Sequence, residues 1–325
     1  MSRTNDKVAM TMGVSQYDAF IKTIELGGLT KAAEALGYTQ SGITHLLDSL
    51  EKDCGLRLLR RDRSGVSITS EGQQLLPYFQ SISGASRRMN EKINEIQRLE
   101  SGLVRIGTFT SASAQWLPGI ISKFRRDYPK IQFELHHGTN IQNMEWAESG
   151  RVDCSFVILP AAGRLETIFL RRDPIVAVLP ENHPLCRLPS FPLAELAKQP
   201  YVELYEGVED EISAVFTTHG IAPDTQFVES DDYAVIAMVE QGLGISVLPQ
   251  LVLKGSSRRV IQKELEVPAY RDLGVAFRDK RLLTNSAGAF LEYVRKWIKE
   301  EYGNDALLCT PPPSARDDAA QPKPA

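Results

Sequence analysis

Apolar residues along this 325-residue chain keep three different periods, and each period marks a different kind of element. From about Ser15 to Leu26, Tyr17, Phe20, Ile21 and Ile24 share one helical face, and Gly27-Gly28 ends the pattern. Ala32, Ala33 and Leu36 form a short second stripe, broken by Gly37-Tyr38-Thr39. A third stripe follows at Ile43, Leu47, Leu50 and Cys54, whose i, i+4, i+7, i+11 spacing predicts a helix with one buried face. Its opposite face carries Gln40, Ser41, Thr44, His45 and Asp48, all able to hydrogen-bond and none suited to a core. Thr30 and Thr39 are placed to cap the second and third helices and are expected, with the polar face, to contact DNA. Two helices joined by a tight turn, the second opening with small polar residues, make a helix-turn-helix whose second helix enters the major groove of DNA. Leu58-Leu59 and residues 66–68, flanking Asp62-Arg63-Ser64-Gly65, predict a short two-stranded wing.

Beyond Ser70 the period tightens. Leu75, Phe79, Ile82, Ser86, Met89, Ile93 and Ile96 alternate spacings of four and three, a 3.5-residue seam that predicts a coiled coil rather than a helix lying on its own domain. Pro77 removes one backbone hydrogen bond early in that helix and should bend it. After Ser101-Gly102 strands and helices alternate. Strands are expected at 103–108, 131–135, 152–159, 169–179, 201–204, 226–228, 245–248 and 273–277, and helices at 113–127, 140–148, 208–218, 231–241 and 282–299. Such repeats imply a parallel sheet covered on both faces. The proline-rich segment from Gly303 onward is expected to be disordered, and the residues before about Ser15, without periodicity, to be flexible.

Residues 17–72 resemble the winged helix-turn-helix of LysR-type transcriptional regulators motif by motif. The aromatic-rich first helix is Tyr17-Asp18-Ala19-Phe20, the alanine pair follows Thr30, and Gln40-Ser41 opens the recognition helix. Leu50-Glu51 precedes Gly55 and Leu58, and Thr69-x-x-Gly72 closes the motif. The resemblance extends to about Glu301. It implies an α/β protein with an N-terminal all-α winged helix-turn-helix and a two-lobed C-terminal domain of the periplasmic-binding-protein (type 2) kind. The implied boundaries are 1–69 for DNA binding, 70–100 for a linker and dimerisation helix, and 101–301 for effector binding. The lobes cross near Pro160 and Pro268: lobe I is about 101–161 and 269–301, lobe II about 162–268, and 302–325 is a tail. The implied partners are double-stranded DNA, a small-molecule effector and a second copy of the chain, in a homodimer or homotetramer built through the linker helix. The chain departs from the family pattern at His45, where an arginine-like residue is usual, and at Gly42, where alanine is commoner.

Charge qualifies this picture. The net charge is −4, yet residues 1–100 hold 13 Lys/Arg against 12 Asp/Glu while the remainder holds 24 against 29. Arg57, Arg60, Arg61 and Arg63 cluster at the wing, and screening makes such a local strip sufficient for phosphate contact, with Arg61 and Arg63 the expected donors. The cysteines at 54, 154, 186 and 309 show neither C-x-x-C spacing nor a disulfide framework. No stretch is apolar enough for a membrane helix and the start lacks a signal-peptide core, so a cytoplasmic protein is expected.

Open α/β sheets bind ligands beyond the carboxyl ends of their strands. Here the first such place is Thr108-Phe109-Thr110-Ser111-Ala112-Ser113, where Thr110 and Ser111 are the expected effector contacts. Thr139, Asn140, Glu206 and Phe277 reach the same cleft by the logic of the fold. Ser230 is expected to cap a helix with Asp231 and Asp232 in its first turn; two carboxylates there favour a neutral, zwitterionic or amine-bearing effector. Gly242-Leu243-Gly244 leads from helix to strand, the reverse of a dinucleotide site. His136 and His137 point to opposite faces of a strand, with no further ligand at metal spacing. No nucleophile–base pair, metal cluster or cofactor fingerprint is legible, so neither an enzyme nor a bound cofactor is expected.

Overall fold

The computed structural model describes residues 13–62, 65–96, 102–205 and 211–303. Arg63, Glu206, residues 1–12 and the tail after Gly303 lie outside these residues, while Gly13 and Val14, expected to precede the first helix, cap and open it. The chain divides between Leu99 and Glu100 into two compact units, with Ser149–Val152 counted with the first.

The first unit holds α1 (Val14–Leu26), α2 (Leu29–Leu36), α3 (Gln40–Cys54), a hairpin of β1 (Leu59–Asp62) and β2 (Gly65–Ile68), and α4 (Ser70–Ile96). Its core joins Tyr17 and Phe20 of α1 to Ile43, Leu47 and Leu50 of α3, the face expected from the spacing. Phe79 of α4 belongs to this core too: its ring stacks on Tyr17 at 4.9 Å and meets Phe20 edge-on at 5.4 Å. The expected coiled-coil seam therefore needs correction. Leu75 and Phe79 pack against the helix-turn-helix, because the aromatic rings of α1 supply a nearer apolar surface than a second subunit could. Of the later positions, Ile82, Met89 and Ile93 stay open, at 44%, 57% and 43% exposure, and the Ile96 side chain lies outside what the structure describes.

Two polar devices fix this unit. Thr39 caps α3, its hydroxyl accepting from the Gly42 N–H at 3.1 Å. Thr30 does not cap α2: that helix begins at Leu29 on extended Gly28, which leaves Thr30 inside the first turn. Glu51 is a buried carboxylate that accepts from the Leu58 and Leu59 N–H groups at 2.7 and 2.9 Å, tying α3 to the first wing strand. Gly72 lies so close to the Leu58 carbonyl that any Cβ there would overlap it, which is why glycine follows Thr69 at this spacing.

The second unit contains β3 (Gly102–Thr108), α5 (Thr110–Gln115), α6 (Leu117–Asp127), β4 (Ile131–His137), α7 (Asn140–Ser149), β5 (Cys154–Leu159) and β6 (Glu166–Pro180). It continues with β7 (Pro200–Leu204), α8 (Glu211–His219), β8 (Asp224–Glu229), α9 (Asp232–Glu240), β9 (Ser246–Pro249), α10 (Gln250–Leu253), β10 (Val260–Phe277) and α11 (Asn285–Tyr302). Six strands form one sheet in the order β4-β3-β5-β10-β6-β9, and β7 and β8 form a separate pair. The all-parallel expectation fails here. β3 runs parallel to both neighbours, but β10 is antiparallel to β5 and β6, and β6 is antiparallel to β9. β6 and β10 are long strands that serve both lobes. Pro268 does not end β10: a register shift between Glu264 and Ala269 absorbs it, as befits a residue without an N–H. The helix expected over 113–127 is two helices that break at Trp116, with Pro118 in the first turn of the second.

Strand parity separates the cores of lobe II. Ile175, Ala177 and Leu179 of β6 enter one cluster with Phe191 and Tyr201, while Val176 and Val178 enter another with Val235 and Ile236 of α9. Lobe I has its own core of Ile106, Trp116, Phe124, Phe156 and Phe290. Gly244 backs onto the Pro200 carbonyl, where a Cβ would stand 2.5 Å from the oxygen, so this glycine serves packing.

Where β6 and β10 lie side by side, Asp173 and Arg271 are register partners and form an ion pair at 2.9 Å, each side chain 2% exposed. The second Asp173 oxygen accepts from the Leu251 N–H at the start of α10, and the Arg271 Nη2 donates to the Ser111 hydroxyl at 2.9 Å. Burial raises the Asp173 carboxyl and the Arg271 charge opposes that rise. Removing one partner of such a pair strands the other charge away from water. Arg271→Ala is expected to destabilise the chain by about 3–5 kcal/mol, read as a lower urea midpoint; a loss under about 1 kcal/mol would show that water reaches Asp173.

Candidate DNA interface and effector cleft

The exposed face of α3 gathers Gln40, Ser41, Thr44, His45 and Asp48 around one shallow concavity. The buried residues Ile43, Leu47 and Leu50 hold the other face, so these polar groups have nowhere to turn but solvent. Their hydrogen bonds restrict what each can offer. The Thr30 hydroxyl donates to Gln40 Oε1 at 3.3 Å, which orients the amide from the preceding helix and gives Thr30 a positioning role in place of the expected cap. Thr44 donates its only hydroxyl hydrogen to the Gln40 carbonyl at 2.9 Å, leaving its methyl group and lone pairs for contact. Ser41 shares a hydrogen bond with Thr39 at 3.0 Å. Gly42 sits where a Cβ would press on the Thr39 hydroxyl at 3.3 Å, so the small residue keeps the cap intact.

Asp48 and Arg61 were both expected at DNA, and the structure pairs them. Arg61 Nη2 lies 2.7 Å from Asp48 Oδ1, joining β1 to the exposed face of α3. Arg61 is thus held against an opposite charge. Arg60 is exposed, and Arg57 donates to Glu51 at 3.3 Å.

In the second unit a cleft of ≈ 470 Å³ is lined by Phe109 and Thr110 after β3, His137 to Asn140 and Gln142 after β4, and Ile158 at the end of β5. Tyr205, Ser230, Asp232 and Arg271 line it as well. Asn143, fully buried in α7, ties its floor by donating to the carbonyls of Thr108 and Gly138 at 3.1 and 3.0 Å. Thr110, Thr139 and Asn140 thus reach the cleft. Asn140 is largely committed to backbone, its Oδ1 accepting from the Ile158 N–H at 2.9 Å, and the Thr139 hydroxyl accepts from the Gln142 N–H at 3.3 Å.

Two expected contacts sit elsewhere. Ser111 is 1% exposed and its hydroxyl is taken by Arg271, because the turn of α5 directs it beneath the cleft. Phe277 is 4% exposed within the lobe I core, on the same side of β10 as Leu273 and Val275. The cap of α9 is Asp231, not Ser230; its carboxylate accepts from the Tyr233 and Ala234 N–H groups. That one-residue shift turns Asp232 inward, where it is 3% exposed. Burial raises the Asp232 carboxyl, while a hydrogen bond from Thr110 and the Arg271 charge pull it down. Phe109, within the segment expected at the cleft, does line it, whereas sequence reasoning missed Arg271, His137 and Tyr205. His137 at a strand terminus was the one legible hint: its Nε2 lies 3.3 Å from the Thr110 hydroxyl, whereas Nε2 of His136 lies 3.0 Å from Glu134. Among the described residues no group of three or more His, Cys, Asp or Glu side chains could hold a metal.

Two family models match this chain: the bacterial regulatory helix-turn-helix of the lysR family over residues 14–73, and the LysR substrate binding domain over 97–299. An HTH-type transcriptional regulator of Bacillus subtilis strain 168, YvbU, is 29% identical over 89% of this chain and 100% of its own length. The transcriptional dual regulator GltC of the same organism is 28% identical over 89% of this chain and 98% of its own. Full-length OxyR from Pseudomonas aeruginosa shares the fold with a TM-score of 0.70 at 17% identity, covering 93% of this chain and 99% of that one. CbnR, a LysR family transcriptional regulator, does so at 0.65 and 21% over 89% and 100%; its complex with target DNA gives 0.52 at 22%, over the same shares. With both halves matched by their own family model, this chain belongs to the LysR family of transcriptional regulators.

Proposed function

We propose that the chain binds specific operator sequences in double-stranded DNA as a homodimer, or a tetramer of two dimers, and that a small molecule in the cleft sets how it does so. One observation carries the reading: the polar residues of α3 gather on a single exposed face whose reverse is core. A rigid helix with such a face fits the major groove, and the complex of CbnR with its target DNA is a precedent in a protein of the same fold. Gln40 reads adenine through its amide and Thr44 touches a thymine methyl, so half-sites rich in A·T suit it. Arg61 and Arg63 supply phosphate contacts. Such a protein works where the DNA is, in the cytoplasm, and needs no catalytic group.

Effector control follows from the long strands. A ligand that touches both lobes favours one of their poses in proportion to its differential affinity. The linker helix carries the DNA-binding unit, so a change of pose in paired subunits alters the spacing of recognition helices. The exposed seam of Ile82, Met89 and Ile93 is the surface along which two copies of α4 would pair.

Three outcomes are expected. Gln40→Ala loses about 1–3 kcal/mol of discrimination at one base pair, measured by competition among duplexes selected from a random pool; weakening that is equal for every sequence would assign Gln40 to phosphate. Ile82→Asp and Ile93→Asp each put an unpaired carboxylate into the subunit seam, so light scattering should return a smaller particle with reduced operator affinity. An unchanged mass for both would move the interface elsewhere. Asp48→Ala frees Arg61 from its partner, which should tighten binding to unrelated DNA and steepen its salt dependence by about one counterion; an unaltered salt slope would mean that Arg61 makes no phosphate contact.

A further inference from the structure

We propose that the cleft takes a small ligand carrying a protonated amine, seated on the Asp232 carboxylate; this rests on reading the cleft as the effector site. The charges at the back of the cleft point to it. Arg271 is partly committed, its Nε donating to Asp173 at 2.9 Å and its Nη2 to Ser111 at 2.9 Å. That leaves Asp232 as a carboxylate 3% exposed, with Arg271 in electrostatic reach but bonded to a nearer anion. Asp173 and Asp232, when ionised, outnumber the one buried guanidinium, Arg271. A buried carboxylate with no cation bonded to it is costly, and a cation of the ligand would complete the set.

Hydrogen-bond direction agrees. An ionised carboxylate can only accept, so Thr110 gives its single hydroxyl hydrogen to Asp232. The Thr110 oxygen can then accept, with His137 Nε2 lying 3.3 Å from it. A ligand arriving between Asp232 and Thr110 therefore meets acceptors, and an ammonium group, which has three donors and no acceptor, suits them. Asp231 is no competing seat, since its carboxylate caps α9. The rings of Phe109 and Tyr205 line the same cleft and tolerate a cation as well as an apolar body. A carboxylate placed against Asp232 would instead meet a like charge.

The test uses the full chain with matched probes: n-butylamine, putrescine, n-butanol and butyrate, read by thermal unfolding and by titration calorimetry. The two amines are expected to raise the unfolding temperature at millimolar concentration, and butanol and butyrate to leave it unmoved. Asp232→Asn keeps the shape and removes the charge, so amine affinity should fall about tenfold or more, while the ligand-free chain unfolds at an equal or higher temperature. Asp232→Ser serves as the second variant, with the same expected loss, should the asparagine chain misfold. Amine binding unchanged in the folded variants, butyrate binding in place of the amines, or no binding by any probe overturns the proposal. Amine binding that depends on Asp232 yet never alters operator binding upholds the ligand class and overturns the effector reading instead.

Discussion

The ion pair of Arg271 and Asp173 is the constraint on which the second unit depends. It joins the two long strands at the point where they serve both lobes, and its spare atoms hold the first residues of α5 and α10. Burying two charges has a desolvation cost that their attraction barely offsets, so the pair adds little net stability. Its contribution is specificity. Any other register of β6 against β10 would leave a guanidinium or a carboxylate without its partner in a dry interior, and the cleft is built on that register. Arg271 forms part of the wall, and the turn after β3 is held by the same side chain.

The first unit solves a smaller version of the same problem with Glu51. A carboxylate in place of an apolar residue near the end of α3 finds two backbone N–H groups and one arginine, and so fixes where the wing begins. Hydrogen bonds to a charged acceptor are stronger than neutral ones and directional. The wing arginines are thereby placed relative to the exposed face of α3, and Arg61 reaches Asp48 across that junction. A DNA reader needs this rigidity, because base edges are discriminated by hydrogen bonds that fail when displaced by an ångström.

Helix α4 divides its labour by turn. Near its start Leu75 and Phe79 close the core of the DNA-binding unit, and farther on Ile82, Met89 and Ile93 are left open. A continuous 3.5-residue repeat conceals this change of use, since a side chain buried within its own unit and one awaiting a second subunit look alike as letters. The aromatic stack of Tyr17 on Phe79 decides which is which.

Local rules sufficed for much of the molecule. Helix periodicity set α1, α2 and α3, Thr39 announced its cap, and the motif from Tyr17 to Gly72 sufficed to recognise a LysR-type DNA-binding unit, because the interactions involved span a few residues. The alternation of strands and helices likewise announced an α/β domain, and Thr110 and Thr139 stood at the strand ends where a cleft should open. Position in space did the rest. Arg271 lies 98 and 160 residues from the partners that give it meaning, and no local pattern in β10 distinguishes it from a solvent-facing arginine. Phe277 was read toward the cleft and Ser111 with it; strand parity and the turn of α5 send both inward. Ser230 and Asp231 are equally good caps by composition, and only the packed lobe chose the second, which turned Asp232 into the wall of the cleft. Sequence alone determined the kind of protein this is, because period and capping are properties of neighbours; the charges that greet a ligand were decided by tertiary structure, because burial and ion pairing belong to residues that meet only after folding.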